Sequence, residues 1–98
     1  MILWVYGKMP HINELREKID KIDFDIAKLI EDRVEVAREI GKLKAIKGLP
    51  LEDTKREREI LENVSKCTKL DRKFVRDLFR RIIDYCKNEE RHDCGSRT

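Results

Sequence analysis

Between Leu15 and Leu43 the apolar side chains recur at alternating steps of four and three: Leu15, Ile19, Ile22, Ile26, Leu29, Val36, Ile40 and Leu43. This is the spacing of a heptad seam on one continuous α-helix. Arg33 stands in that series where the pattern asks for an apolar residue. The pattern predicts a helix from about Asn13 to Lys47, with Asn13 as N-cap, Gly48 at the C-terminal position and Pro50 as a stop. At about 1.5 Å per residue such a helix runs roughly 50 Å, against a diameter of roughly 35 Å for a compact domain of about 100 residues. The overhanging seam needs a cover, and the same seam of a second copy is the most economical one, so a homodimer is expected.

Two shorter amphipathic patterns follow. Asp53 or Thr54 caps the first, with Ile60, Leu61 and Val64 on one face and Cys67 closing it. Asp71 caps the second, whose stripe of Phe74, Val75, Leu78, Phe79, Ile82, Ile83 and Cys86 marks a core-facing helix and leads, one turn on, to Glu90. The expectation is an all-α chain of one long, one short and one medium helix. Residues 1–11 read as an N-terminal extension, 12–91 as one domain, and 92–98 as a patternless, frayed tail.

Composition narrows the classes. At 98 residues, any pocket must come from one small core or be shared between chains. Charged residues make up 44% and hydrophobic ones 40%, which suits long helices rather than disorder. A net charge of +3 gives no general attraction to nucleic acid or anionic lipid. Cys67, Cys86 and Cys94 form no C-x-x-C pair and leave one over, unlike a secreted disulfide framework, so a reducing cytoplasm is expected. The opening MILWVYGKM is too short to span a bilayer and lacks the features of a signal peptide; no membrane association is expected, and both Met1 and Met9 stand as starts.

The candidate chemistry lies where polar residues interrupt apolar faces. Arg33 points where Ile26 and Ile40 point, and Lys44, three turns further and about 20° round, lies on nearly the same face. Inward cations need an anion. Either Glu57, Glu59 or Glu90 neutralises them, or Arg33 specifies dimer register, or a ligand supplies the charge. Arg16 lies on the flank of the first turns of the long helix, within reach of a partner's pocket in an antiparallel dimer. Arg56 and Glu57 open the second helix, where free N–H groups favour an anion. Arg16, Arg33, Lys44 and Arg56 together suit a small molecule with two carboxylates.

Glu90 is either a salt-bridge partner or a protonated carboxyl that donates a hydrogen bond; in the second case turnover falls as the carboxyl ionises. Cys86 is either a small buried residue or a reactive thiol, with no neighbouring His to activate it. Cys86, His92 and Cys94 fit no structural zinc spacing, and there is no Gly-rich phosphate loop, Ser-His-Asp set or pair of catalytic acids. Lys69, Arg72, Lys73, Arg76, Arg80 and Lys87 lie away from the apolar stripe of the third helix. Asp71, Asp77 and Asp84 interrupt them and no aromatics interleave, so they read as a solvated face in preference to a nucleic-acid-binding one.

The segments LREKIDKID, DRVEVAREIGKLK, LPLEDTKRERE and LFRRIID, in this order and over about residues 12–90, resemble the all-α chorismate mutases. The resemblance implies three-helix chains interlocked as a homodimer, each of two active sites borrowing an arginine from the partner, and conversion of chorismate to prephenate on the way to phenylalanine and tyrosine. It implies that Arg16 is the borrowed arginine, that Arg33 grips a carboxylate beside it, and that Lys44 bridges a carboxylate and the ether oxygen. Asp53, through its backbone, and Glu57 meet the ring hydroxyl, Arg56 helps hold a carboxylate, and Glu90 faces the ether oxygen opposite Lys44. Cys86 stands where the family commonly has serine, and Glu90 where it has Gln or Glu. An intramolecular [3,3] rearrangement needs no nucleophile, metal or cofactor. Two other readings remain at this point: an isochorismate pyruvate lyase on the same fold, and a helical dimerisation module with no chemistry.

Overall fold

In a computed structural model, which describes residues 11–91, three α-helices and no strand are present among the described residues: α1 (Ile12–Lys47), α2 (Thr54–Lys66) and α3 (Arg72–Arg91). The extension as far as residue 10 and the tail 92–98, with His92 and Cys94, lie outside the described residues. No described helix is long and apolar enough to cross a membrane.

The helix ends follow local chemistry. The Leu15 N–H donates to the His11 carbonyl at 3.2 Å, so the N-cap position falls at His11, two residues before the expected Asn13, which lies inside the first turn. Exposed first-turn N–H groups are served by water, and no side-chain cap is required there. At the other end Gly48 adopts φ +70, the left-handed conformation that a side chain disfavours. Gly48 N–H donates to Ala45 at 3.3 Å and Leu49 N–H to Lys44 at 2.8 Å, a Schellman closure that turns the chain back beneath Lys44. Asp53 Oδ1 accepts from Arg56 N–H at 3.0 Å, and Asp71 Oδ2 from Phe74 N–H at 2.9 Å, so both capping aspartates act as such.

The chain divides at Glu31 and Asp32 into two units. In the first, the seam residues Leu15, Ile19, Ile22, Ile26 and Leu29 are all exposed. The second contains the end of α1 with α2 and α3. Its core comprises Val34 and Ala37 of α1, Leu61 of α2, and Val75, Ile83 and Cys86 of α3. The seam itself is not that core: Val36, Ile40 and Leu43 are exposed, and the face of α1 buried within the chain is Val34, Ala37 and Gly41. Here α1 approaches α3 so closely that a Cβ on Gly41 would lie 2.9 Å from the Glu90 carbonyl oxygen. In α2 the buried face runs Glu57, Leu61, Ser65, with the Ser65 hydroxyl returned to the Leu61 carbonyl at 2.6 Å.

Candidate active site

Within the second unit, α1, α2, α3 and the α1–α2 connection enclose a cavity of about 370 Å³, in the size range of small-molecule sites. Four cations, Arg33, Lys44, Arg56 and Lys87, and three carboxylates, Asp53, Glu57 and Glu90, line it over a floor that includes Ala37, Ile60 and Ile83. Seven of the eight expected site residues are therefore together. The eighth, Arg16, is an exposed residue of α1 in the first unit.

Arg33 is half-buried, and its Nη1 donates to the Cys86 sulfur at 2.9 Å. Among the described residues it forms no ion pair, so neither Glu57, Glu59 nor Glu90 neutralises it. Lys44 differs. Its ammonium donates to the Leu51 carbonyl at 2.9 Å and to Glu90 Oε1 at 3.3 Å. The Leu51 carbonyl is in place because the Gly48 closure reverses the chain. Glu90 is buried and takes part in a salt bridge here, the first of its two sequence readings. Cys86 is 2% exposed, a small core residue whose sulfur also borders the cavity.

Glu57 opens onto the cavity but belongs to a different charge cluster. Its Oε1 accepts from Arg80 at 2.9 Å and its Oε2 lies 3.0 Å from the Lys87 ammonium. Burial pushes the Glu57 carboxyl up, but the hydrogen bonds and charges of Lys87 and Arg80 outweigh it and hold the group below the usual carboxylate range. The bond to Glu57 in turn raises Lys87, against its partial burial and with help from Glu52. Arg56 is largely exposed and pairs with Glu59 at 3.5 Å, which leaves it easily redirected. Asp53 spends its side chain on the α2 cap.

Lys87 and Arg80 belong to the basic series that the pattern assigns to a solvated face of α3, yet both reach Glu57, and Lys87 borders the cavity. The available signal was spacing: Lys87 is four residues after Ile83 and three before Glu90, on the shoulder of the inward stripe. The Leu51 carbonyl carries no side-chain signal at all.

Comparison with known proteins identifies the family. The sequence profile of the family described as chorismate mutase type II matches residues 15–91. A chorismate mutase of Methanocaldococcus jannaschii is 34% identical over 77 residues, covering 76% of this chain and 78% of that protein. The bifunctional chorismate mutase/prephenate dehydratase of Aquifex aeolicus is 33% identical over 89 residues, and that of Escherichia coli strain K12 is 38% identical over 73 residues. Those matches cover 85% and 71% of this chain but only 25% and 19% of the bifunctional proteins. With a match across all three helices and the whole cavity, the chain belongs to the chorismate mutase type II family.

Proposed function

We propose that the protein is a chorismate mutase, converting chorismate to prephenate by an intramolecular [3,3] rearrangement, with residues 12–91 as the catalytic domain. The observation that carries this reading is Arg33: a half-buried guanidinium on a small cavity, bonded to a thiol and to no carboxylate among the described residues. Such a cation is completed by an anion that arrives from outside.

Charge supports a dianion. The lining has one more cation than carboxylates, so a second unpaired cation is needed to balance two substrate carboxylates. Arg16 of a second copy supplies it, as the homodimer reading requires. Arg33 and Arg16 then clamp one carboxylate, while Arg56 and Lys44 hold the other. Clamping both ends keeps the enolpyruvyl arm folded over the ring, replacing a rare conformer in water by a bound one. As the ether C–O bond breaks, negative charge grows on its oxygen, where Lys44 donates, with Glu90 beside it at 3.3 Å from the ammonium. Glu57 and the Asp53 backbone receive the ring hydroxyl. No step requires a nucleophile, metal or cofactor.

The decisive experiment follows chorismate absorbance on adding pure protein. Disappearance with formation of prephenate is expected, and Arg33→Ala lowers kcat/KM by about 10² to 10³, the cost of losing one such donor. Isochorismate, an isomeric dianion, is supplied in parallel; salicylate from it, with chorismate untouched, assigns the lyase reaction instead. Inertness toward both dianions, with salt-sensitive binding to duplex DNA, assigns the basic face of α3 to nucleic acid.

A further inference from the structure

Lys87 is a lining cation for which the reaction above supplies no task. Its ammonium lies between two carboxylates, 3.0 Å from Glu57 Oε2 and 3.1 Å from Glu52 Oε2, with its side chain only 20% exposed. With Arg80 on Oε1, each oxygen of Glu57 has one cationic donor and retains a lone pair for a ligand hydroxyl. Glu52 directly follows Leu51, whose carbonyl holds the Lys44 ammonium. Lys87 thereby links α3 to α2 and to the connection that seats Lys44.

We infer that Lys87 is a positioning residue, which keeps Glu57 ionised and fixed as the acceptor for a substrate hydroxyl and steadies the connection beneath Lys44. The inference takes its substrate from the mutase reading, but the clamp on Glu57 is measurable without it. The charged groups around Glu57 are Arg80 and Lys87 of α3, with Arg80 shared by Asp84 at 3.8 Å. Glu90, also of α3, borders the same cavity, as do Arg56 of α2, Asp53 of the connection, and Arg33 and Lys44 of α1; Glu52 reaches the cluster through Lys87. Among the described residues only Arg80 and Lys87 bond the Glu57 carboxylate. Without Lys87, the effect of burial is opposed by Arg80 alone.

The test uses the full chain with Lys87→Met, Lys87→Arg and Glu52→Gln, and reads the carboxyl-carbon NMR titration of Glu57 beside the pH profile of kcat/KM on chorismate. In Lys87→Met, Glu57 titrates higher by about one pH unit or more. The acid limb of kcat/KM moves the same way, and kcat at neutral pH falls by about ten- to a hundredfold. Lys87→Arg restores all three, and Glu52→Gln does not raise the Glu57 titration. Chorismate's own carboxylates titrate alike with every variant, so they cannot mimic the shift. Should Lys87→Met fail to fold, Lys87→Gln removes the charge and retains a donor. An unmoved Glu57 titration or an unmoved acid limb in the uncharged variants overturns the inference. A wild-type chain inert toward chorismate, with the NMR shift present, strikes down the mutase reading and leaves the clamp standing.

Discussion

Arg33 and Lys44 share a helix face yet are completed differently. Lys44 has a carboxylate and a carbonyl; Arg33 has a sulfur, a weak acceptor for a guanidinium. A half-buried cation so poorly served stabilises the fold little, and an apolar side chain of similar reach packs at no desolvation cost. Arg33→Leu is therefore expected to raise stability by about 1 kcal/mol, seen as a higher melting temperature, while kcat/KM falls at least about a hundredfold. A variant that is more stable and turns over normally would return the chain to the reading of a dimerisation module. Glu90 gives a second test: Glu90→Ala removes the carboxylate 3.3 Å from the Lys44 ammonium and is expected to lower kcat/KM by about a hundredfold, whereas Glu90→Gln, which keeps a donor and an acceptor there, is expected to lose less.

Between elements, two contacts carry the arrangement. At the α1–α3 crossing, Gly41→Ala gains about 1 kcal/mol of helix propensity, but its Cβ would sit 2.9 Å from backbone of Glu90. Overpacking of that kind costs about 1 to 3 kcal/mol, so the clash wins. The variant is expected to be less stable in urea and, by displacing Glu90 and its bond to Lys44, slower. Between α2 and α3 the Glu57 cluster ties stability to pH. Glu57 is lowered in the folded state, so its contribution is present above the ordinary glutamate range and is lost as pH falls through the lowered native value. Lys87 is raised, so its contribution is present below the ordinary lysine range and is lost as pH rises through the raised value. Wild-type stability should thus fall at both extremes, and Lys87→Met should lose the alkaline dependence of this pair and begin its acid decline at higher pH.

For the whole molecule, the question is what covers the seam. Leu15, Ile19, Ile22, Ile26 and Leu29 of the first unit, and Val36, Ile40 and Leu43 of the second, are each 38% or more exposed, and apolar residues left open at helical spacing mark a face that a partner covers. The homodimer proposed above would cover it through α1 and would bring Arg16 of one chain to the cavity of the other. Mixing tests this directly: Arg16→Ala and Arg33→Ala chains are each nearly inactive alone, but a mixed dimer contains one intact site. Random reassortment is expected to restore about a quarter of wild-type activity, with sedimentation reporting dimers throughout. No restoration would place Arg16 and Arg33 in the same chain's site, or Arg16 in none.

How much of this was legible beforehand follows from which forces are local. The end of α1 at Gly48, the Asp53 and Asp71 caps and the break at Arg33 depend on residues within a turn or two of one another, and the chain's spacing alone determined them; the start of α1 did not follow, because Asn13 lies inside the first turn. The family motifs named seven of the residues that line the cavity. Spacing could not tell which of two adjacent faces of α1 is buried within the chain, because Val34, Ala37 and Gly41 form a stripe beside a more apolar one, and only the close approach of α3 at Gly41 selects it. Nor could it assign partners: Arg33 to Cys86, Lys44 to Glu90 and Leu51, Lys87 to Glu57 are contacts between residues far apart in sequence or across a reversed turn. Charge pairing depends on distance in space, and only the tertiary structure decided that Lys44 and Lys87 reach carboxylates at the cavity while Arg33, among the described residues, reaches a sulfur.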